Sequence, residues 1–203
     1  METLLASIIA FVVTNLDDIF ILILFFSDRK FISRNIIAGQ FLGIGTLIFL
    51  SFLGSFIGLV IDLKYVGLLG LVPIYMGLKS FIALWTRGES EEEIPINLNS
   101  ENSGSHFKQI VSVASVTVAN GGDNISIYLP LYATFSYSGK VTMTLVFLVM
   151  TAVWCFIASH LSNYPIIKLS LERYGHIVTP FVFILLGIYI MYESNSFDLF
   201  LNI

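Results

Sequence analysis

Two clusters of oxygen-bearing side chains are the parts of this chain equipped for chemistry. The first is Thr14-Asn15-Leu16-Asp17-Asp18, set in an apolar run from about Leu4 to Phe26. The second is Asn120-Gly121-Gly122-Asp123-Asn124, in a matching run about a hundred residues later. Each lies near the middle of a segment long enough to span a bilayer, which takes about 20 residues. A carboxylate at that depth costs roughly 2.5–3.5 kcal/mol on insertion scales. Asp17, Asp18 and Asp123 therefore need a compensating partner, and a cation is the most economical one. These residues imply an integral membrane protein that binds a positively charged substrate and moves it.

Helical spacing puts residues three or four apart on one face and turns neighbours about 100° away. Asn15 and Asp18 then point together, as do Asn120, Asp123 and in part Asn124, while Asp17 points off that face. Aligning Asp18 with Asp123 gives Asn-x-x-Asp in both clusters. Aligning Asp17 with Asp123 matches the following residues better and requires one inserted residue; both registers stay open. Gly121-Gly122 weakens its helix, and freed backbone carbonyls there can add oxygen ligands. Carboxylates, amide oxygens, carbonyls and the Thr14 hydroxyl make an all-oxygen set, which suits hard divalent ions such as manganese, calcium or magnesium. Softer cadmium and zinc attract thiolate or imidazole, here Cys155 and His160 in the fifth apolar segment. Cys155 reads as a small buried apolar residue, Met76, Met143, Met150 and Met191 as packing or lipid-facing residues, and Gln40 as an interfacial amide rather than an outer ligand or gate. Metal binding at carboxylates displaces protons, a route to proton-coupled exchange. The competing structural reading makes the aspartates neutral hydrogen-bonders that lock two halves together.

The elements that must position these clusters follow from composition. Of 203 residues, 56% are hydrophobic and 12% charged, against about 25% charged in soluble domains. The chain reads as one transmembrane domain with no basic stripe for nucleic acid. A single cysteine excludes an intrachain disulfide and any multi-cysteine metal site. The start, Met-Glu without Lys or Arg, is not that of a secretory signal peptide, so the first apolar segment is expected to stay. Six apolar segments are predicted: 4–26, 36–61, 65–85, 110–135, 141–161 and 177–193. Residues 86–107, acidic and then rich in Asn, Ser and Gly, read as a disordered cytoplasmic linker; its glutamates and His106 could capture metal, though a solvated loop is the plainer reading. Loops 1–2, 3–4 and 5–6 hold Arg29, Lys30, Arg34, Arg87, Lys108, Lys168 and Arg173, and the opposite side only Lys64 and Lys140. Those richer loops are expected in the cytoplasm, with both termini extracytoplasmic.

The halves look like copies. Asp17-Asp18-Ile19-x-Ile21 parallels Asp123-Asn124-Ile125-x-Ile127 at an offset of 106. Gly39 parallels Gly139, Ser51 parallels Thr151, and Phe56-Ile57 parallels Phe156-Ile157, at an offset of 100. Tyr75-Met76-Gly77-Leu78 parallels Leu185-Leu186-Gly187-Ile188 at an offset of 110. A three-helix unit is odd in number, so its second copy inserts upside down, and such inverted repeats hold substrate near the midplane. The expected fold is all-α: six transmembrane helices as two inverted three-helix repeats, about 1–85 and 108–203.

At Thr-Asn-Leu-Asp-Asp and Ala-Asn-Gly-Gly-Asp-Asn the chain resembles the paired motifs of the CadD-type cadmium resistance transporters of the lysine-exporter superfamily. The length, the six segments and the stretch Leu71 to Lys79 fit that family along nearly the whole chain. The resemblance implies a bacterial plasma-membrane exporter conferring cadmium resistance. Carried over by motif position, Asn15, Asp17, Asp18, Asn120, Asp123 and Asn124 are the expected metal ligands, with the divalent ion as substrate and no cofactor. The bilayer and the ion are the expected partners, and a homo-oligomer is compatible with the class. Alternatives are a manganese or calcium exporter, an amino-acid exporter, an intramembrane aspartyl protease and a purely structural membrane subunit. No Lys or Arg accompanies the clusters to recognise an amino acid's carboxylate. Asn120 stands where such a protease's Gly-x-Gly-Asp has its first glycine.

Overall fold

The computed structural model describes residues 2–56, 62–86, 105–162 and 180–201, and every regular element among them is helical. The first apolar stretch forms α1 (Glu2–Thr14) and α2 (Asp18–Ser27), and the second forms α3 (Ser33–Gly54). The third holds α4 (Leu63–Val66), a 3-10 turn (Gly67–Gly70) and α5 (Leu71–Thr86). The fourth forms α6 (His106–Asn120) and α7 (Gly122–Thr134), and the fifth α8 (Tyr137–Leu161). Pro180–Glu193 is α9, and a last turn, α10 (Asp198–Leu201), follows.

All six predicted apolar segments are thus helical where described, and α3 and α8 are each long and apolar enough to cross a membrane. The pair α1 and α2 qualifies together, bent by 59° at its break. Two or three crossings are accounted for in this way. The two long helices are apolar all round: Phe49 (59% exposed) and Phe156 (74% exposed) face outward, as do Leu53, Leu145 and Val149. Exposed apolar surface on this scale belongs to lipid or a partner rather than water. The linker ends earlier than its composition suggested, because His106 and Phe107 already belong to α6. Its residues 87–104, with the glutamates, lie outside the described residues, as do Ile57 and the loop carrying Lys168 and Arg173.

Each long helix braces a broken one from the other half: α3 packs along α6 and α7, and α8 along α1 and α2. Small residues permit the approach. A Cβ on Gly39 would stand 2.6 Å from Val113 Cβ, and one on Gly43 the same distance from Thr117 Cβ. Gly139, which parallels Gly39 in the sequence, is likewise close-packed: a Cβ there would lie 3.1 Å from Phe135 Cβ and 3.4 Å from Thr3 Cγ2. Ser51 and Thr151 are both fully buried. In the third pair a Cβ on Gly70 would lie 2.6 Å from the Gly187 carbonyl, and one on Gly187 would collide with the Gly70 carbonyl. One end of the molecule is tied by Gln109, which accepts from Ile32 N–H (3.1 Å) and Asn35 Nδ2 (2.8 Å) and donates to the Lys30 carbonyl (2.9 Å). The α2–α3 turn and the start of α6, both basic, therefore share that end.

Gly45 has open space beside its Cα, whereas Gly187 meets backbone. Gly187→Val is expected to lower the thermal midpoint of the detergent-solubilised protein by several degrees, since overpacking costs about 1–3 kcal/mol. Gly45→Ala should leave it unchanged or raise it slightly, as Gly inside a helix costs about 0.5–1 kcal/mol relative to Ala.

Candidate functional site

Both clusters fall where a helix breaks. Asn15, Leu16 and Asp17 separate α1 from α2, and Asp17 caps α2, its Oδ1 accepting from Asp18 N–H at 3.1 Å. An acid at a helix N-terminus satisfies a free amide and meets the positive end of the helix dipole. In the other half Gly121 alone separates α6 from α7, with φ −78° and ψ 22°. There Asp123 Oδ1 accepts from Asn124 N–H at 2.8 Å. Asp17 and Asp123 thus make the same local bond to the following N–H, Asp17 as the cap of α2 and Asp123 within the first turn of α7. Asp18 and Asn124, which donate those N–H groups, are 2% and 1% exposed, while Asp17 and Asp123 are more open. Leu47 of α3 packs against Gly121, where a Cβ would collide with it.

The two clusters meet through Asn120, at the end of α6. Its Nδ2 donates to Asp17 Oδ2 and to Asp18 Oδ1, both at 2.8 Å. The second Asp18 oxygen accepts from Gln40 Nε2 of α3 at 3.3 Å. Thr117 of α6 donates its hydroxyl to Gln40 Oε1 at 2.6 Å, which turns the Gln40 amine toward Asp18. Asp123 lies within electrostatic range of both Asp17 and Asp18. The buried Asp18 carboxylate is therefore held by two neutral amides beside one acidic neighbour and near another.

A second polar layer lies behind the first. Asn15 is fully buried, and its Nδ2 donates to the Phe11 carbonyl (2.9 Å), Tyr128 Oη (2.8 Å) and Thr14 Oγ1 (3.0 Å). Trp154 Nε1 of α8 donates to the Asn15 backbone carbonyl at 2.6 Å. Asn15 Oδ1 and Asn124 Oδ1 are both buried with no hydrogen-bond partner among the described residues. Buried acceptors of this kind are rare and call for an occupant such as water or an ion. No three His, Cys, Asp or Glu side chains converge on one point among the described residues. A cation here would have to combine carboxylates with amide oxygens, as the all-oxygen set anticipated.

All six predicted residues thus flank the two breaks, and hydrogen bonds join Asn120 directly to Asp17 and Asp18. Gln40 departs from its reading as an interfacial amide, being buried and bound to Asp18. His106 faces Asn35, with Nδ1 and Asn35 Nδ2 3.1 Å apart, and Cys155 is buried, as expected of a small apolar residue. Sequence reasoning passed over Thr117, Tyr128 and Trp154. Two of these carried a signal, since Thr117 precedes Asn120 by three residues and Tyr128 follows Asn124 by four. Trp154 carried none.

Against known proteins, the family model for the cadmium resistance transporters matches residues 11–203, which include both clusters. No curated protein and no solved structure matches the chain.

Asp18→Asn preserves shape and removes one of two adjacent acidic charges. Unit charges about 6 Å apart at an effective dielectric near 20 repel by roughly 3 kcal/mol, reduced here by the exposure of Asp17. The ion-free midpoint of this variant is expected to rise by a few degrees, and its shift on adding cadmium to vanish, in thermal melts of the purified protein.

Proposed function

The chain belongs to the cadmium resistance transporter family, and on that premise we propose that it is a plasma-membrane exporter of divalent cadmium that binds the ion between its two broken helices. The observation that carries this reading is the meeting of the two acidic clusters through Asn120, with two buried amide oxygens, Asn15 Oδ1 and Asn124 Oδ1, that have no partner among the described residues. Asp17, Asp18 and Asp123 supply charge, and Asn15, Asn120 and Asn124 shape the oxygen shell. Asn120 Nδ2 sits within 2.8 Å of two carboxylate oxygens, a place a cation would contest, so loading turns that amide aside. The family is one of transporters, and the intramembrane protease alternative gains nothing from it.

Six crossings arranged as inverted repeats complete the proposal. Its support is the reciprocal bracing of α1–α2 by α8 and of α6–α7 by α3, with the shared local bond at Asp17 and Asp123. The end carrying the α2–α3 turn and the start of α6 faces the cytoplasm, by the excess of basic residues there. The termini then lie outside. A second reading, manganese or calcium as the exported ion, is favoured by the donor set, which is oxygen throughout.

Expression in a metal-sensitive host separates these readings. Wild type is expected to lower cellular cadmium and permit growth, while Asp18→Asn and Asp123→Asn, present at equal membrane levels, do neither. Protection against manganese alone transfers the same site to the second substrate, and variants as protective as wild type overturn the site. Protons and the ion compete for the same carboxylates. Cadmium binding by calorimetry should therefore weaken as pH falls and release protons, read from its dependence on buffer ionisation enthalpy.

A further inference from the structure

The buried Asn15 amide is fixed so completely that its purpose can be read from what is left over. Its amine end faces three acceptors: the Phe11 carbonyl, Tyr128 Oη and Thr14 Oγ1, at 2.9, 2.8 and 3.0 Å. Thr14 Oγ1 donates to the Ala10 carbonyl at 3.0 Å, so its lone pairs receive the Asn15 amine and the Tyr128 hydroxyl, the latter at 3.1 Å. Turning the Asn15 amide over would press its carbonyl oxygen against the Phe11 carbonyl. Only one orientation survives. The backbone is pinned as well, through Trp154 Nε1 on the Asn15 carbonyl. The one group left without a bond is Asn15 Oδ1, buried and without a partner among the described residues.

Tyr128 is the part of the side-chain lock that crosses from the second half to the first, as Trp154 does for the backbone. It is fully buried, and its ring rests on Phe147 with centroids 4.2 Å apart, so its hydroxyl has a fixed place. At the register of 106 its counterpart is Leu22, which has no hydroxyl, so the lock exists on one side only. We infer that Tyr128, with Thr14, is a positioning residue that aims the Asn15 carbonyl oxygen at the transported cation and makes the ion's oxygen shell unequal between the two halves. This rests on the metal-site reading above. Groups that orient a metal ligand typically matter by about 10–100-fold in affinity, because a ligand held in place is not ordered at the ion's expense.

The test is cadmium titration of the purified full chain as wild type, Tyr128→Phe, Asn15→Ala, the double variant and Asp18→Asn, with ion-free thermal midpoints. Tyr128→Phe keeps the ring on Phe147 and is expected to bind cadmium about tenfold more weakly with a near-wild-type midpoint. The double variant should bind no more weakly than Asn15→Ala alone, since the hydroxyl acts through that amide. Wild-type affinity in Tyr128→Phe, or effects that add in the double variant, overturns the positioning role while loss of binding in Asp18→Asn keeps the site. Full binding by Asp18→Asn overturns site and positioning together. If Tyr128→Phe does not fold, Thr14→Val should weaken binding and Thr14→Ser retain it; equal binding by the two defeats the proposal.

Discussion

The interaction on which the rest depends is the repulsion between acidic groups held inside an apolar helical protein. Asp18 is buried with Asp17 beside it and Asp123 in range, and the nearest compensation comes from neutral amides, Asn120 and Gln40. An amide can support a carboxylate with a charge-assisted bond but cannot cancel its charge. The helix breaks belong to the same solution. Each frees an N-terminal amide, and Asp17 and Asp123 both use the one next to them. An uninterrupted helix would spend those groups on itself.

Broken helices in an apolar medium must be held from outside, because backbone groups left unpaired there are costly. The two unbroken long helices do this, α3 for α6 and α7 and α8 for α1 and α2. On α3, Gly39 and Gly43 let α6 approach, Leu47 fills the space beside Gly121, and Gln40 reaches Asp18. On α8, Trp154 takes the carbonyl that the first break exposes, and Phe147 carries the Tyr128 ring. The same two helices that seal the core therefore reach the two breaks, α3 at Asp18 and Gly121 and α8 at the Asn15 carbonyl, and the stability of the packing and the geometry of the site are hard to vary separately.

The donor set and the family pull in different directions, and the contrast is informative. Oxygen ligands favour hard ions, while the family is described by cadmium resistance. Cys155, the only thiol, is buried on α8, next in sequence to the tryptophan that holds Asn15. On the export reading proposed above, an oxygen site would hold cadmium less tightly than thiolate would.

Much of this was legible in the sequence. Six apolar stretches gave the helical content, because hydrophobic length is a local property, and Asp and Asn in the middle of two of them fell where the structure breaks its helices, polar groups there being too costly to be incidental. Gly121-Gly122 marked one break. What the sequence left undecided was relational. That Asp17 rather than Asp18 makes the bond to its neighbour's N–H is a matter of backbone geometry at the break. Gln40 looked interfacial because its depth depends on how α3 lies against α6. Trp154 and Tyr128 are aromatic residues among many, and only packing from the other half of the chain turns one onto a carbonyl and the other onto an amide. The amino-acid types thus determined that charge would be buried and roughly where. Which neutral groups would hold it was decided by helices meeting across 22 residues of sequence for Gln40 and 102 for Asn120, contacts that no local pattern encodes.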